Sequence, residues 1–496
     1  MGMIKDFFNR KKEIARLKKQ VMASYYVASS DSNSLDFSFA GSEDLNQSLK
    51  ADLTTLRNRI RYELRQNGPA KGLLRVYANA CVSTGPTLSV EAADNKTWGE
   101  EVEAGFAKWS ATCGYTRGER YGEILHLGVS SFFNCGEYFN IYKTDNTATS
   151  KVKLRILQIR PERVGSPWSG TTKLNIYDGV EMDNNGKPAF YYISKNTTIN
   201  PYSDEFSKES AANIRHVFYI EEAEQVRGQP WLAPSLPDLH KKRRYDEARV
   251  AAAIIAAKFA VFLVNKNPSL GLSAEDILPS GVIELNDGAA TVLPPSYEVQ
   301  SFSGSQPVSG ATDFRREMMA NAGAGFGMAA NIANQDSSTS NFASARYDDI
   351  GFSLDYTYTR KVIENRDLNP TALRYIREAE AVGEISKIPE NYKLVWRWPH
   401  VNRHTDPLKA ANADNSAVSG GISSKTKVWG NQGTDKDEAR KDLLDDVQWH
   451  RDNGLVHPID GTVSTEIIEE EPDDIDEPDD NNEPKQNTDN GENTNG

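Results

Sequence analysis

The sequence predicts an α+β subunit, mainly helical and elongated, that packs against copies of itself. Three observations lead there. Residues 226–264, VRGQPWLAPSLPDLHKKRRYDEARVAAAIIAAKFAVFLV, join a proline-punctuated turn, a basic cluster and an alanine-rich helix. A block of alternating, β-branched and aromatic residues precedes this stretch, and a second small-residue helix with a wholly polar run follows it. At 496 residues the chain is too long for one simple core. It points to two to four domains, or to one elongated subunit whose segments return to the same domain.

The first 50 residues open with an amphipathic basic helix, with Ile4, Phe7, Phe8, Ile14, Leu17 and Val21 near one face, and then turn rich in Ser, Asp and Asn. They read as an arm that docks on a partner or a neighbouring subunit. A helical pair over Ala51 to Ala80 breaks at Asn67-Gly68-Pro69, and Trp98 to Trp109 forms another amphipathic helix. Strands are expected at Tyr138–Tyr142, Val152–Ile159, Leu174–Met182, Phe190–Ile193 and Ile214–Ile220, with Asn185-Gly186 as a hairpin turn.

In the long helix, Gly228, Pro230 and Pro234 suit an entry, Pro237 is expected to kink it, and strong helix formers run on from Tyr245. Ala251, Ala252, Ala253, Ala256, Ala257 and Ala260 leave room for a close neighbour, while Ile254, Ile255, Phe259, Phe262 and Leu263 supply bulk. From Tyr245 to Val264 the rod spans about 30 Å, the length of a membrane crossing. Lys258 and the weak hydrophobicity of alanine argue against a bilayer. A buried core helix of an ordinary enzyme is the alternative at this point. Beyond it, Asn267-Pro268, Pro279-Ser280-Gly281 and Pro294-Pro295 separate short strands at Gly281–Leu285 and Thr291–Leu293. A helix from Ala311 to about Ile332 precedes NQDSSTSN at Asn334–Asn341, a run with no apolar anchor that is expected to be mobile. Helix resumes over Phe342–Glu380, then a strand at Lys393–Trp398 and helices around Pro407–Ala417 and Asp435–Asp452.

The net charge of −13 is unevenly placed. From Gly461 onward thirteen acids face only Lys485, so the preceding chain is nearly neutral and the tail cannot bury enough apolar surface to fold. Cys81, Cys113 and Cys135 are odd in number and lack CxxC spacing, against a disulfide framework or a zinc site. The opening MGMIKDFFNRKKEIARLKKQ carries charge where a signal peptide needs an apolar run, and Asp6 stands where a myristoylation motif needs Ser or Thr, so a soluble protein is expected.

Catalytic signatures are missing. There is no GxxxxGK[ST] run to cradle a triphosphate and no GxSxG elbow. Gly323, Gly325 and Gly327 lack the spacing and the preceding strand of a dinucleotide loop, and read as helix-packing residues. His400 and His404 with Asp406 are bracketed by prolines and lack an HExxH glutamate, so no metal is assigned. Asp348, Asp349 and Asp355 suggest a nuclease cluster, yet consecutive acids point apart on a helix. No cofactor is expected and the chain is read as not an enzyme.

Several runs then fall in a specific order: Asn67-Gly68-Pro69-Ala70-Lys71-Gly72, Gly136-Glu137, Ile159 to Arg163, Ile214 to Tyr219, Val226 to Ala233, Asn341 to Arg346, Trp398-Pro399, Asp406 to Lys409 and Gly433-Thr434-Asp435. In this order the chain resembles phage portal proteins of the lambda type. The resemblance implies a ring, usually a dodecamer, with a central channel at one capsid vertex, assembled in the host cytoplasm and carried in the virion. Beyond the arm read at 1–50, it implies a discontinuous wing at 51–230 and 342–400, and stem helices at 231–264 and 311–333. It places a clip at 265–310, a tunnel loop at 334–341 and a crown at 401–460; Pro237 and the acidic tail at 461–496, read as disordered from its composition, depart from the family's pattern. Gln335, Asp336, Ser337, Ser338, Thr339, Ser340 and Asn341 would face DNA, and Ala252, Ala253, Ala256, Ala257 and Ala260 would pack the stem. The implied partners are other copies of the chain, double-stranded DNA in transit, the terminase large subunit, a head-tail connector, and the major capsid or scaffold protein, with no membrane.

A loop with one acid and no base touches phosphates without trapping them, since a protein gripping roughly 6–10 phosphates holds firmly. Lys241, Lys242, Arg243 and Arg244 are expected at subunit contacts rather than on DNA. Another ring-forming virion adaptor and a metal-dependent nucleic-acid-processing enzyme are the competing readings.

Overall fold

Asn67 is extended, at φ −119° and ψ 103°, and Pro69 follows in the first turn of the next helix. The helical pair therefore breaks where the sequence places the break, into α1 (Leu45–Gln66) and α2 (Gly68–Val82). The computed structural model describes residues 45–92, 95–167, 176–195, 205–258, 262–265, 297–300, 310–338, 340–399, 407–431 and 436–455. Residues 1–44 of the expected arm, the strands expected at Gly281–Leu285 and Thr291–Leu293, the His400/His404 pair and the acidic tail lie outside these residues, while Leu45–Lys50, read as the end of the arm, begin α1. Two units divide the chain, Met1–Gly433 and Thr434–Gly496, so the boundary falls inside the stretch read as crown.

In the first unit, β1 (Thr87–Glu91) leads to α3 (Lys96–Ser110) and α4 (Tyr121–Cys135). Helix α4 escaped the sequence reading because Ile124, Leu125, Val129, Phe132 and Phe133 are all buried and leave little polar face to show a helical period. Gly136 ends it in the left-handed region, at φ +83°, and turns the chain into β2 (Glu137–Thr144). Strand β2 runs antiparallel between β3 (Leu154–Ile159) and β8 (Ile214–Phe218). A second antiparallel sheet takes β4 (Ile176–Tyr177), β5 (Val180–Met182), β6 (Pro188–Ser194) and β7 (Phe206–Ser210) in chain order. The strand expected over Leu174–Met182 is thus a tight hairpin where it is described, turned by Asp178 and Gly179 at positive φ. The Asn185-Gly186 turn is present, with Asp183 Oδ1 accepting from the Asn185 and Lys187 amides.

Helix α5 (Leu236–Lys258) is shorter than the expected 231–264. Pro237 is its second residue, where a missing N–H costs nothing, so it starts the helix instead of kinking it. Phe262–Asn265 forms β9, paired with β10 (Tyr297–Gln300), as suits a β-branched and aromatic run. The second long helix is broken too, into α6 (Ala311–Ala324) and α7 (Ala330–Asn334). Between them Gly327 takes φ +66° and lets Phe326 and Met328 turn inward, Phe326 reaching Phe133 with ring centroids 4.8 Å apart.

Helix α8 (Phe342–Ile363) starts on a capping box of Asn341 and Ser344 and passes through a π-turn (Glu364–Leu368) into α9 (Asn369–Ala381). Pro370 offers no N–H to Arg366, which favours the wider turn. The chain then returns as β11 (Lys393–Arg397) to pair with β1, Leu88 opposite Trp396. α10 (Pro407–Ser419) and α11 (Lys425–Asn431) close the first unit, and α12 (Lys436–Asp452) is the described helix of the second. The main core gathers Tyr77, Trp98, Phe106, Phe132, Phe133, Phe352 and Tyr375, and a smaller one joins the two sheets through Phe139, Ile141, Tyr191 and Ile193.

Candidate functional site

Two buried carboxylates organise the first unit. Glu137, fully buried, accepts from Arg57 Nη2 at 2.7 Å, from Arg227 Nη2 at 2.5 Å, from His216 Nε2 at 2.9 Å and from the Gly228 amide at 2.9 Å. Arg227 also donates to the carbonyls of Pro161 and Val164. Four runs that carry the family resemblance, around Gly136-Glu137, Ile159–Arg163, Ile214–Tyr219 and Val226–Ala233, therefore meet at one charge. Burial pushes Glu137 up, but Arg227, then His216 and Arg57, hold it well below the usual carboxylate range. Asp367, in the π-turn, accepts from Tyr121, Tyr138, Asn140 and Thr371. Burial prevails there and raises its carboxyl.

Burial pushes His216 down, against the upward pull of Glu137, so it is neutral near pH 7 and donates to the carboxylate. An unfolded histidine titrates near about 6.5. The unfolded chain therefore takes up the proton first, and this histidine's contribution is whole above that pH and lost below it. Melting temperature should fall from pH 7 to pH 5, less steeply in His216→Gln than in the unaltered protein. Equal slopes in the two would remove His216 from the account.

The predicted loop residues lie beside a cleft. Asn334 ends α7, Gln335 sits at φ 53°, and its side-chain amide lies over Gly72 of α2. Asp336 Oδ2 accepts from Arg316 Nη2 at 2.6 Å, its Oδ1 from the Ser338 amide at 3.0 Å, and its own amide donates to Asn331 O. Hydrogen bonds from Ser338, then Arg316, hold its carboxyl down to about 2. Ser340 donates to Ser337 O, and Asn341 caps α8. The expected mobile run is therefore tied down along its described residues; Thr339 is outside them. Gln335, Ser337 and Ser338 are exposed.

The cleft, about 550 Å³, is bordered by Lys71, Arg75, Lys242, Arg315 and Arg316 as well as Asp336. Asp246 pairs with Lys242 at 3.0 Å and Arg315 at 2.8 Å, while Lys71 and Arg75 stand exposed. The loop carries no base of its own, yet the fold sets cations from α2, α5 and α6 next to it. Sequence reasoning missed this cleft because its charges come from three separate helices. Lys71 and Lys242 stood in runs already singled out, with no local sign that the two meet.

The basic cluster of α5 is mostly spent inside the subunit. Lys242 is 4% exposed, which corrects its expected placing at a subunit contact, while Arg243 pairs with Glu63 and Glu247 beside the groove between α1 and α5. Farther along α5, Ala248, Val250, Ala251, Ala252, Ala253 and Ile254 are all exposed, Val250 at 60% and Ile254 at 49%. The side chains of Ala256, Ala257 and Ala260 lie outside the described residues. Near the start of the helix, Tyr245 meets Phe314 of α6 at 4.9 Å, and Ser235 donates to Ala322 O.

Other sequence candidates hold no site geometry. Gly323 packs against Ala333 and Met328, a helix-packing residue as read. Asp355 lies beneath Gly327, separate from any metal cluster, and no group of His, Cys, Asp and Glu among the described residues is arranged to hold a metal. The three cysteines are buried and unpaired, and burial pushes the Cys81 thiol up to about 12. No described helix is long and apolar enough to cross a membrane.

The family model described as phage portal protein, lambda family, matches residues 33–357. A probable portal protein of Halomonas phage phiHAP-1 is 22% identical over 476 residues, covering 87% of this chain and 88% of the relative. Among solved structures, a chain of the virion of a native gene transfer agent particle gives a TM-score of 0.47 at 13% identity, covering 77% of this chain and 93% of that one. An HK97 family phage portal protein from Corynebacterium diphtheriae gives 0.35 at 11% identity, covering 71% and 98%. With its family model matched over more than half its length, the chain belongs to the lambda family of phage portal proteins.

Proposed function

We propose that copies of this chain close into a dodecameric ring at one vertex of the capsid, and that the genome is packaged and ejected through its channel. The observation that carries this reading is α5. A helix whose Ala248, Val250, Ala251, Ala252, Ala253 and Ile254 are exposed together leaves apolar surface that a soluble subunit covers with a neighbour. In this reading α5 and α6 are the stem, with Ala252, Ala253, Ala256, Ala257 and Ala260 at its packing surface. Residues 265–310 are the clip that meets the terminase large subunit and later the head-tail connector. Wing and crown face the major capsid or scaffold protein. The role is structural, with no catalysis by this chain. Electron microscopy of the purified full-length protein should show closed rings; a strict monomer at high concentration would overturn the reading.

Gln335–Asn341 is proposed as the tunnel loop along the DNA. Its exposed serines and amide touch a backbone without holding it, while Lys71 and Arg75 in the adjoining cleft supply a weak cationic lining. Replacing residues 335–340 by a Gly-Ser turn should leave ring formation intact and lower DNA packaging or retention. Unchanged packaging and retention would remove the loop from the mechanism.

A further inference from the structure

Helix α8 has apolar residues on two faces. Phe352 and Ile363 are buried in the core, whereas Tyr347, Ile350, Leu354 and Tyr358 are 78, 53, 69 and 61% exposed. Spacings of three, four and four residues set these side chains in one ridge along about 16 Å of helix. Gly351 lies within the ridge, and nothing stands within 4 Å of a Cβ built on it. A glycine inside a helix costs about 0.5–1 kcal/mol relative to alanine, and no contact within the subunit calls for this one. A second chain approaching the helix closely would. Asp348 and Asp355, seven residues apart, share one flank of the ridge.

A groove of complementary character lies between α1 and α5. About 590 Å³ in volume, it is walled by Asn58, Arg59, Tyr62, Leu236, Pro237 and His240 together with the ion pair of Glu63 and Arg243, and Tyr62 is 57% exposed. Its lining surface is largely apolar and stiffened by Pro237, and Arg59 and His240 are exposed.

We infer that the α8 ridge of one copy seats in the α1–α5 groove of the next copy, with Gly351 at the point of closest approach. A closed ring of identical subunits needs two different faces that fit each other, because a face that pairs with itself stops at a dimer. Ridge and groove are such a pair. Asp348 and Asp355 beside the ridge meet Arg59 of the groove, which fixes the orientation. The inference rests on the ring reading and assigns it a contact.

The test uses the full-length protein with Asn58→Cys and Leu354→Cys, singly and together, and a short bismaleimide. Rings of the double variant should give a ladder of covalent multimers in denaturing gels, and the single variants none. Rings that yield no ladder, or Leu354→Cys alone giving dimers, would overturn the inference. Gly351→Trp and Leu354→Glu should weaken ring formation by at least about tenfold while the subunit keeps its circular dichroism and melting temperature. Unaltered rings from both would also overturn it. If the unaltered protein makes no rings, the ring reading itself fails, and the two failures are thereby distinguished.

Discussion

Glu137→Gln is expected to destabilise the first unit by about 3–5 kcal/mol, because it leaves Arg57 and Arg227 buried without their shared counter-charge. The side chains of both arginines are 4% exposed, so water has no ready access to replace the carboxylate. Glutamine keeps the shape and one acceptor oxygen, but its amide NH₂ faces donors and the charge is gone. The loss spreads beyond one contact, since Arg227 also binds the Pro161 and Val164 carbonyls and Gly228 donates its amide to the same carboxylate. Denaturant unfolding of the full-length protein measures this. A cost under about 1 kcal/mol would mean that the cluster relaxes to water or to another acid. Asp178, 2.8 Å from Arg227, is the nearest such acid, and it serves that arginine but leaves Arg57 alone.

The order of short runs that marks the family was visible in the sequence, but not the reason for it. Gly136-Glu137, Ile159–Arg163, His216 and Arg227-Gly228 lie far apart in the chain and meet through antiparallel pairing of β2 with β3 and β8. Local signals were legible where the backbone itself decides. Asn67-Gly68-Pro69 breaks a helix, and Asn185-Gly186 turns a hairpin, whatever surrounds them. Signals that depend on a partner were not. Phe262, Leu263 and Val264 fit helix or strand by their apolar character, and pairing with Tyr297–Gln300 makes them strand. The polar run at 334–341 looked unanchored because Arg316 of α6, which pairs with Asp336, reaches it only in three dimensions.

The second large effect is expected at Gly136, and comparison with two other glycines separates its causes. At φ +83° a side chain costs about 1–2 kcal/mol from the left-handed backbone alone. A methyl group built there would also overlap the backbone of Gly228 and Gln229, which belongs to the chain and cannot swing aside. Gly136→Ala should therefore cost more than about 3 kcal/mol, the sum of backbone strain and forced displacement. Gly228→Ala carries the displacement without the positive φ, since its methyl would overlap Gly136 and the Glu137 side chain. Gly186→Ala carries the strain without the displacement: φ is +74° and nothing lies within 4 Å. Unfolding free energies should then rank Gly136→Ala above Gly228→Ala above Gly186→Ala. Similar losses at Gly136 and Gly186 would mean that the crossing of the two segments yields to a methyl. A rigid crossing is what the Glu137 cluster requires, because the Gly228 amide reaches Oε2 at 2.9 Å only when the two backbones lie in contact. Moving them apart by the width of a methyl group breaks that hydrogen bond and loosens the grip of Arg227, so these glycines and the buried carboxylate should fail together, their double variants costing less than the sum of the singles.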